Sequence, residues 1–212
     1  MVNIGILGSG NVGQTLASGF IRLGYEVMMG TRNPSKLKDW LDKEKNSKVG
    51  SFKEAASYGD IIILCVKGTE TENVIELADE NNFSDKIVID VTNPLIHKAN
   101  QPPELAVGYP DSNGKMLQDL LPDAKVVKAF NIVTANYMCN PKLKDGSPDM
   151  FIAGDDNEAK SEVSEIISKF GWSVIDIGDI SQSYLLEALA MIWIRYGVIN
   201  NHWTHAFKLL KK

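Results

Sequence analysis

Five short stretches of this chain hold residue types and spacings that can do chemistry. The first is Gly8-Ser9-Gly10-Asn11-Val12-Gly13, a G-x-G-x-x-G run. Such a run suits a pyrophosphate: Gly8 allows a tight turn, Gly10 lets backbone N–H groups approach the phosphates, and Gly13 lets a helix lie close to a strand. The helix that opens inside the run adds unpaired N–H donors and a partial positive charge. The second stretch is Gly30-Thr31-Arg32-Asn33-Pro34. It stands about twenty residues further on, where an NAD site presents Asp or Glu to the ribose hydroxyls. Here Thr31, Arg32 and Asn33 occupy that place, with Lys36 one helical turn later. A carboxylate repels a 2'-phosphate, whereas a hydroxyl, a guanidinium and an ammonium bind it, so the expected ligand is NADP(H). The bland reading, that Arg32 and Lys36 are merely solvated, is weaker because cations at a helix start oppose the helix dipole.

The other three stretches follow apolar runs. Ligands of open α/β sheets lie beyond the carboxyl ends of the strands. That rule nominates Val66, Lys67 and Gly68, then Thr92, Asn93 and Pro94, and finally Asn131, Val133, Thr134 and Ala135. Asn131, with both donors and an acceptor, can orient a nicotinamide or a hydride acceptor. Lys67 reads equally as a phosphate contact or as a solvated side chain, and Asn93-Pro94 as site lining or as a simple turn. No Ser-His-Asp arrangement, paired catalytic carboxylates or HExxH is present, and no catalytic side chain is identified. His97 can line the site, although a lone loop histidine is more often incidental; His202 and His205 fall in the C-terminal stretch. Glu187 interrupts an apolar helical run, and a structural partner explains it better than catalysis.

These residues need a scaffold, and the apolar pattern supplies one. Strand-length apolar runs alternate with amphipathic stretches of helix length, the mark of a parallel sheet covered on both faces. Strands are expected over 3–7, 26–30, 61–66, 87–91, 126–130, 150–153 and 173–177, with a short one near 48–50. Val12, Leu16, Ala17, Phe20 and Ile21 mark the first helix, Pro34 opens the next, and Asp156 or Asn157 caps one that Gly171 stops. The segment 95–114, with Pro102, Pro103 and Pro110, lacks periodicity and has the length of a lid or binding loop. From Ser183 one broad apolar helical stretch follows, bent or divided near Gly197 and Asn200-Asn201. The expectation is an α/β, Rossmann-type doubly wound and mostly parallel sheet over 1–180. A small C-terminal helical region, 181–212, completes the acceptor side or a homodimer interface.

Bulk properties narrow the class of partner. The 212 residues can bury one substantial core, and 44% hydrophobic with 23% charged residues is ordinary for a globular chain. A net charge of -5 argues against nucleic acid and anionic membranes, and the Lys211-Lys212 pair reads as solvated. Two cysteines, Cys65 and Cys139, show neither a disulfide framework nor metal-ligand spacing, so no metal site is indicated and a reducing, cytoplasmic setting is expected. There is no signal-peptide pattern, and the longest apolar run, 61–66, is too short to cross a bilayer.

Taken together, the blocks GILGSGNVGQTLA, GTRNPSK, DVTNPL, LLPDAKVVKAFN, DMFIAGDDNEAK and LLEALAMIWI resemble, in order and over nearly the whole chain, the coenzyme F-420-dependent NADP reductases. The fold of that family also recurs in the cytosolic domains of membrane metalloreductases. The resemblance implies that Ser9, Gly10, Asn11 and Val12 hold the pyrophosphate, that Thr31, Arg32 and Lys36 hold the 2'-phosphate, and that Asn131, Val133 and Ala135 approach the nicotinamide. Relatives with deazaflavin activity commonly show Pro-Trp where this chain has Lys67-Gly68, which leaves the acceptor open. The activity expected is hydride transfer between NADPH and a small-molecule electron acceptor, a flavin-like or deazaflavin ring. Such transfer needs ring alignment more than an acid or base. Two rivals stand beside it: a non-catalytic NADP(H)-binding redox sensor, and a small-molecule dehydrogenase related to pyrroline-carboxylate reductases. A second, ring-sized pocket built from Leu95, the 95–114 loop and the helix around 191–196 separates the first reading from the sensor.

Overall fold

The computed structural model describes residues 2–44, 47–99 and 101–210; the Lys211-Lys212 pair lies outside them. The chain begins with β1 (Asn3–Leu7), α1 (Asn11–Arg22), β2 (Glu26–Gly30), α2 (Lys38–Leu41), β3 (Ser47–Gly50), α3 (Phe52–Tyr58), β4 (Ile61–Leu64), α4 (Thr71–Ala78) and β5 (Ile87–Asp90). A two-stranded hairpin, β6 (Leu95–Ile96) and β7 (Glu104–Leu105), leads to α5 (Asn113–Leu120), β8 (Lys125–Lys128) and α6 (Ala135–Met138). It ends with β9 (Asp149–Gly154), α7 (Asn157–Lys169), β10 (Ser173–Asp176) and α8 (Ser183–Asn200). Eight of these strands form one sheet in the order β10-β9-β8-β5-β4-β1-β2-β3. All neighbours are parallel except β8 and β9. The chain leaves β1 toward β2 and β3, then crosses back to β4, so the topological switch lies between β1 and β4.

Burial on both faces explains the runs. Ile4, Ile6, Ile61, Ile63 and Ile89 point to one layer with Leu16 and Phe20 of α1 and Val163 of α7. Leu7, Ile62, Leu64 and Val88 point to the other, with Ala55 of α3, Val74 of α4 and Leu117 of α5. Alternation in direction without alternation in polarity is what a doubly covered strand shows. Each such side chain, taken out of water, contributes about 1.5–3 kcal/mol.

The strand expectations hold, with β4 stopping at Leu64 rather than 66 and β8 at Lys128 rather than 130. Asp156 caps α7 through the Ala159 N–H (2.8 Å), and Gly171 ends it in the left-handed region at φ 102°. Two expectations need correction. The 95–114 segment is not structureless: it holds the β6–β7 hairpin and the first turn of α5, capped by Ser112. The C-terminal stretch divides at Asn200-Asn201 as expected but not at Gly197: α8 continues unbroken through Gly197 to Asn200, Asn201 follows at φ 46°, and 202–210 is not helical. Gly197 serves packing instead: a Cβ there would lie 2.6 Å from the Trp203 ring, so the returning tail presses on the helix backbone. That tail is tied down where Asp149 accepts from Lys208 Nζ (2.7 Å) and the Leu209 N–H (2.8 Å). No helix among the described residues is long and apolar enough to cross a membrane.

Candidate active site

The five stretches meet along the carboxyl edge of the sheet. Gly8 leaves β1 at φ 127°, and a Cβ there would come within 2.5 Å of the Cys65 carbonyl oxygen across the switch point. Gly13 lets α1 lie on the same turn, its Cβ position being 2.1 Å from the Gly8 carbonyl oxygen. Gly10 differs from both. Its backbone is extended (φ -74°, ψ -176°), and a Cβ built on it meets no heavy atom within 4 Å. It is also the residue before the first turn of α1, where no side chain caps the helix. An uncapped helix start behind an open backbone is a cradle for an anion.

Ser9 and Thr31 join the glycine loop to the end of β2, hydroxyl to hydroxyl at 2.8 Å, and Thr31 also accepts from the Asn33 N–H (3.1 Å). Thr31 is buried, but one of the two hydroxyl protons stays free for a ligand oxygen. Arg32, Asn33 and Lys36 are exposed beside it. Among the described residues neither Arg32 nor Lys36 enters an ion pair. Asn11 is exposed and Val12 half-buried at the head of α1.

On the other side of the switch, Val66 is half-buried, Lys67 is exposed, and the Gly68 N–H donates to the Asn93 carbonyl (3.2 Å). Asn93 and Asn131 hold each other twice. Asn93 Nδ2 donates to the Asn131 carbonyl (2.8 Å), and Asn131 Nδ2 donates to Asn93 Oδ1 (3.0 Å). Asn131 Nδ2 also reaches the Leu186 carbonyl of α8 (3.0 Å), which leaves Asn131 Oδ1 buried with no donor. Phe130 just before it has φ 61°, a conformation that costs an aromatic residue about 1–3 kcal/mol and aims the next residue across the strand ends. Pro94, Val133 and Ala135 are buried beside the asparagine pair. His97 is exposed on the hairpin.

Sequence reading expected a structural partner for Glu187 but missed the polar cluster around it, with Lys128 and Asp90, beneath this edge. Lys128 is fully buried, and its ammonium donates to Asp90 Oδ2 (2.9 Å), Glu187 Oε1 (2.9 Å) and the Thr92 carbonyl (2.6 Å). Glu187 in turn accepts the Asn113 and Gly114 N–H groups at the head of α5, both at 3.1 Å. Asn113 Nδ2 donates to Thr92 Oγ1 (2.7 Å) and Thr71 Oγ1 (3.0 Å). Burial alone would push the Lys128 ammonium down, but the carboxylates of Asp90 and Glu187 outweigh it and its pKa lies above the ordinary lysine value. Glu187 is therefore a structural partner, pinning α8 to β5, β8 and α5. The signal in the sequence was a charge at the end of each of two apolar runs, IVID and KVVK; the partners lie too far apart along the chain for spacing to join them.

Two hollows are candidates for an acceptor: Gly68 and Pro94 of this edge line the first, and the second lies along the C-terminal half of α8. One, of about 540 Å3, opens between α4 and α5 with Gly68, Pro94, Thr71 and Asn113 at its wall and Glu72 and Asp119 at its rim. The other, of about 520 Å3, runs between Pro102-Pro103 and the α8 face bearing Met191, Ile192, Tyr196 and Ile199. The second shares Pro102, Pro103 and the 191–196 stretch with the pocket expected from Leu95, the 95–114 loop and α8, but Leu95 does not line it.

A family model described as NADP oxidoreductase, coenzyme F420-dependent, matches residues 3–94. A solved structure of a protein from Arthrobacter sp. FB24, proposed to be an F420-dependent NADP-reductase, superposes with a TM-score of 0.95 at 31% identity, with 100% of each chain covered. The chain is 31% identical over 188 residues to Metalloreductase STEAP3 of Rattus norvegicus; the match takes in 89% of this chain but 36% of the relative, so the chain spans about a third of that protein. A reductive aminase from Aspergillus terreus, in complex with NADPH and ethyl levulinate, shares the fold alone, at 17% identity and a TM-score of 0.68 over 95% of this chain and 63% of that one. With the glycine loop, the switch point and the whole-chain match in agreement, the protein belongs to the coenzyme F420-dependent family of NADP oxidoreductases.

Proposed function

We propose that the protein transfers a hydride between NADP(H) and a flavin-like or deazaflavin ring laid in the groove between Pro102-Pro103 and α8. When bound, NADPH supplies the hydride from its nicotinamide C4; two electrons and one proton pass to the acceptor ring, and a proton from solvent completes the reduction. The residues present fit such a cofactor. The open space over Gly10 and the uncapped head of α1 suit a pyrophosphate, with Gly8, Ser9, Asn11 and Val12 shaping the loop around it. Thr31, Arg32, Asn33 and Lys36 would bind the 2'-phosphate. Asn131 Oδ1, a buried acceptor without a donor, would take the carboxamide N–H of the nicotinamide, and Asn93 fixes its orientation. Pro94, Val66, Val133 and Ala135 would exclude water, and Lys67 stands at the rim. None of these groups has to move a proton for hydride transfer, which depends on holding two rings face to face.

The observation that carries the acceptor reading is the apolar groove of about 520 Å3, large enough for a fused ring system and walled by the helix that also grips Asn131. The test is to mix the purified protein with NADPH and a panel of F420, FMN, FAD and quinones and follow the nicotinamide absorbance. Loss of absorbance with at least one ring acceptor supports the reading. Silence across the panel, with NADPH still bound, would favour a redox sensor.

A further inference from the structure

The hollow between α4 and α5 is lined by hydrogen-bond acceptors and apolar carbon. Its charged residues are Glu72 and Asp119, and no lysine, arginine or histidine lines it; Pro94, Met116 and Leu117 supply apolar surface. Lys115 reaches Asp119 Oδ2 (3.0 Å), whereas Glu72, among the described residues, enters no ion pair.

The network beneath the hollow fixes which atom of Asn113 faces it. The Thr92 hydroxyl donates its proton to Asp90 Oδ1 (2.7 Å), and the Thr71 hydroxyl donates to the Gly68 carbonyl (2.9 Å), so toward Asn113 both oxygens can only accept. Asn113 must therefore turn Nδ2 toward them, at 2.7 and 3.0 Å, and Oδ1 away. Asn113 is 6% exposed and lines the hollow; among the described residues no group donates to its Oδ1, which is not sealed within the core. The head of α5 offers an anion nothing. The Asn113 and Gly114 N–H groups go to Glu187, that of Lys115 to Ser112 Oγ (3.1 Å), and that of Met116 to the Ser112 carbonyl (3.0 Å). A nearly buried acceptor without a donor, beside an unpaired carboxylate on an apolar wall, calls for a positively charged donor.

We infer that this hollow is a second ligand site, for an organic cation: a primary ammonium donates to Asn113 Oδ1 and the Glu72 carboxylate, and its hydrocarbon body lies against Pro94, Met116 and Leu117. At about 540 Å3 the hollow holds a ring with a short side chain. The site goes beyond hydride transfer and does not rest on it.

Phenethylammonium, 2-phenylethanol and 3-phenylpropionate share a ring and a two-carbon chain and differ in head group, so they serve as probes. In ligand-observed NMR titrations, run with and without NADP+, the ammonium should bind at least about tenfold more tightly than the alcohol, and the carboxylate most weakly. That preference should fall to about threefold or less in Glu72→Gln, and vanish in Met116→Lys, which brings a competing cation to the wall. Both positions are exposed, and Tm values close to the parent's would show that the fold is kept. Equal Kd values for ammonium and alcohol, tighter binding of the carboxylate, or no saturable binding of any probe would overturn the site. So would a preference that survives either variant. Displacement of the ammonium by NADP+ would also overturn it, by giving the hollow to the cofactor, whereas ammonium binding in a protein that reduces no ring acceptor would leave it standing and count against hydride transfer alone.

Discussion

Gly10 and Gly13 lie three residues apart in one run, yet the same substitution should act on different properties at the two. At Gly10 the backbone angles are open to any L residue, and an added Cβ meets nothing within 4 Å. Two effects of Gly10→Ala on the fold oppose each other. The unfolded chain loses entropy, worth about 0.4–1 kcal/mol of stabilisation, and the helix loses the preference for glycine over alanine at its cap, about 0.5–1 kcal/mol. The net lies within about 1 kcal/mol of zero, or less than about 4 °C in Tm for a chain of this size. Cofactor binding is another matter, because the methyl would occupy the space through which, on the proposed reading, phosphate oxygens would reach the backbone N–H groups. Losing one such charge-assisted hydrogen bond costs about 1.5–3 kcal/mol, roughly 10–150-fold in Kd. Gly13→Ala instead drives a Cβ to 2.1 Å from the Gly8 carbonyl oxygen, backbone against helix, and should cost about 1–3 kcal/mol, or roughly 2–12 °C. Thermal unfolding without nucleotide and NADPH titration by fluorescence separate the two. The reasoning fails if Gly10→Ala unfolds more than about 6 °C early, or if it binds NADPH within about twofold of the parent.

Other expectations follow from the same geometry. Arg32→Ala should weaken NADPH by about tenfold or more while changing NADH little, as read from the two Kd values; equal losses would remove the 2'-phosphate assignment. Lys128→Met should leave two buried carboxylates without their cation and cost about 3–5 kcal/mol, roughly 6–20 °C in Tm; a shift below about 2 °C would mean that the ion cluster is not what fastens α8. Burial pushes the Cys139 thiol up to about 12 and also raises that of Cys65. The folded protein therefore keeps protons that the unfolded chain releases above the ordinary value of 9.0, so this contribution to stability is whole below pH 9 and is lost as pH climbs toward 12. Iodoacetamide at pH 8 should modify both thiols slowly in the native protein and quickly in urea, by mass spectrometry, and the loss of stability between pH 9 and 11 should be smaller in Cys139→Ala; labelling at the unfolded rate without urea would contradict the burial argument.

What could be read from the sequence was what local physics imposes. Unbroken apolar runs marked the strands because both faces of the sheet are covered, and Asp156 announced α7 because a helix start needs an acceptor for its free N–H groups. The glycine turn was legible because its geometry is set by neighbours in sequence, and Gly8 and Gly13 make the close approaches expected of them. α3 went unread: its reciprocal cap, Ser51 with Glu54, is clear in the structure, but the helix is too short to show a period in the sequence. α5 was hidden behind Asn113 and Gly114, which look like loop residues until Ser112 is seen capping them. The tail misled most: His202 to Leu210 carries aromatic and apolar residues at spacings a helix would also use, and only the contacts with Asp149 and Gly197 show why it runs back instead. The ion cluster and the Asn93–Asn131 pair join residues 38 to 59 positions apart, a relation that exists only once the strands are side by side.

The buried cluster around Lys128 has a consequence for how the groove can open. Local unfolding is cheap where little apolar surface or charge must be exposed, and dear where much must be. Lifting α8 would strand Lys128, Asp90 and Glu187 together and release Asn131, whereas across the groove Pro102 and Pro103 sit in a hairpin held by β6–β7 pairing and by the Ala106 N–H on the Pro94 carbonyl (2.7 Å). The groove thus has one fixed jaw and one that can be released at low free energy. For the proposed ring acceptor, entry and exit would fall to the proline side, while the helix, and the asparagine it grips, would stay shut.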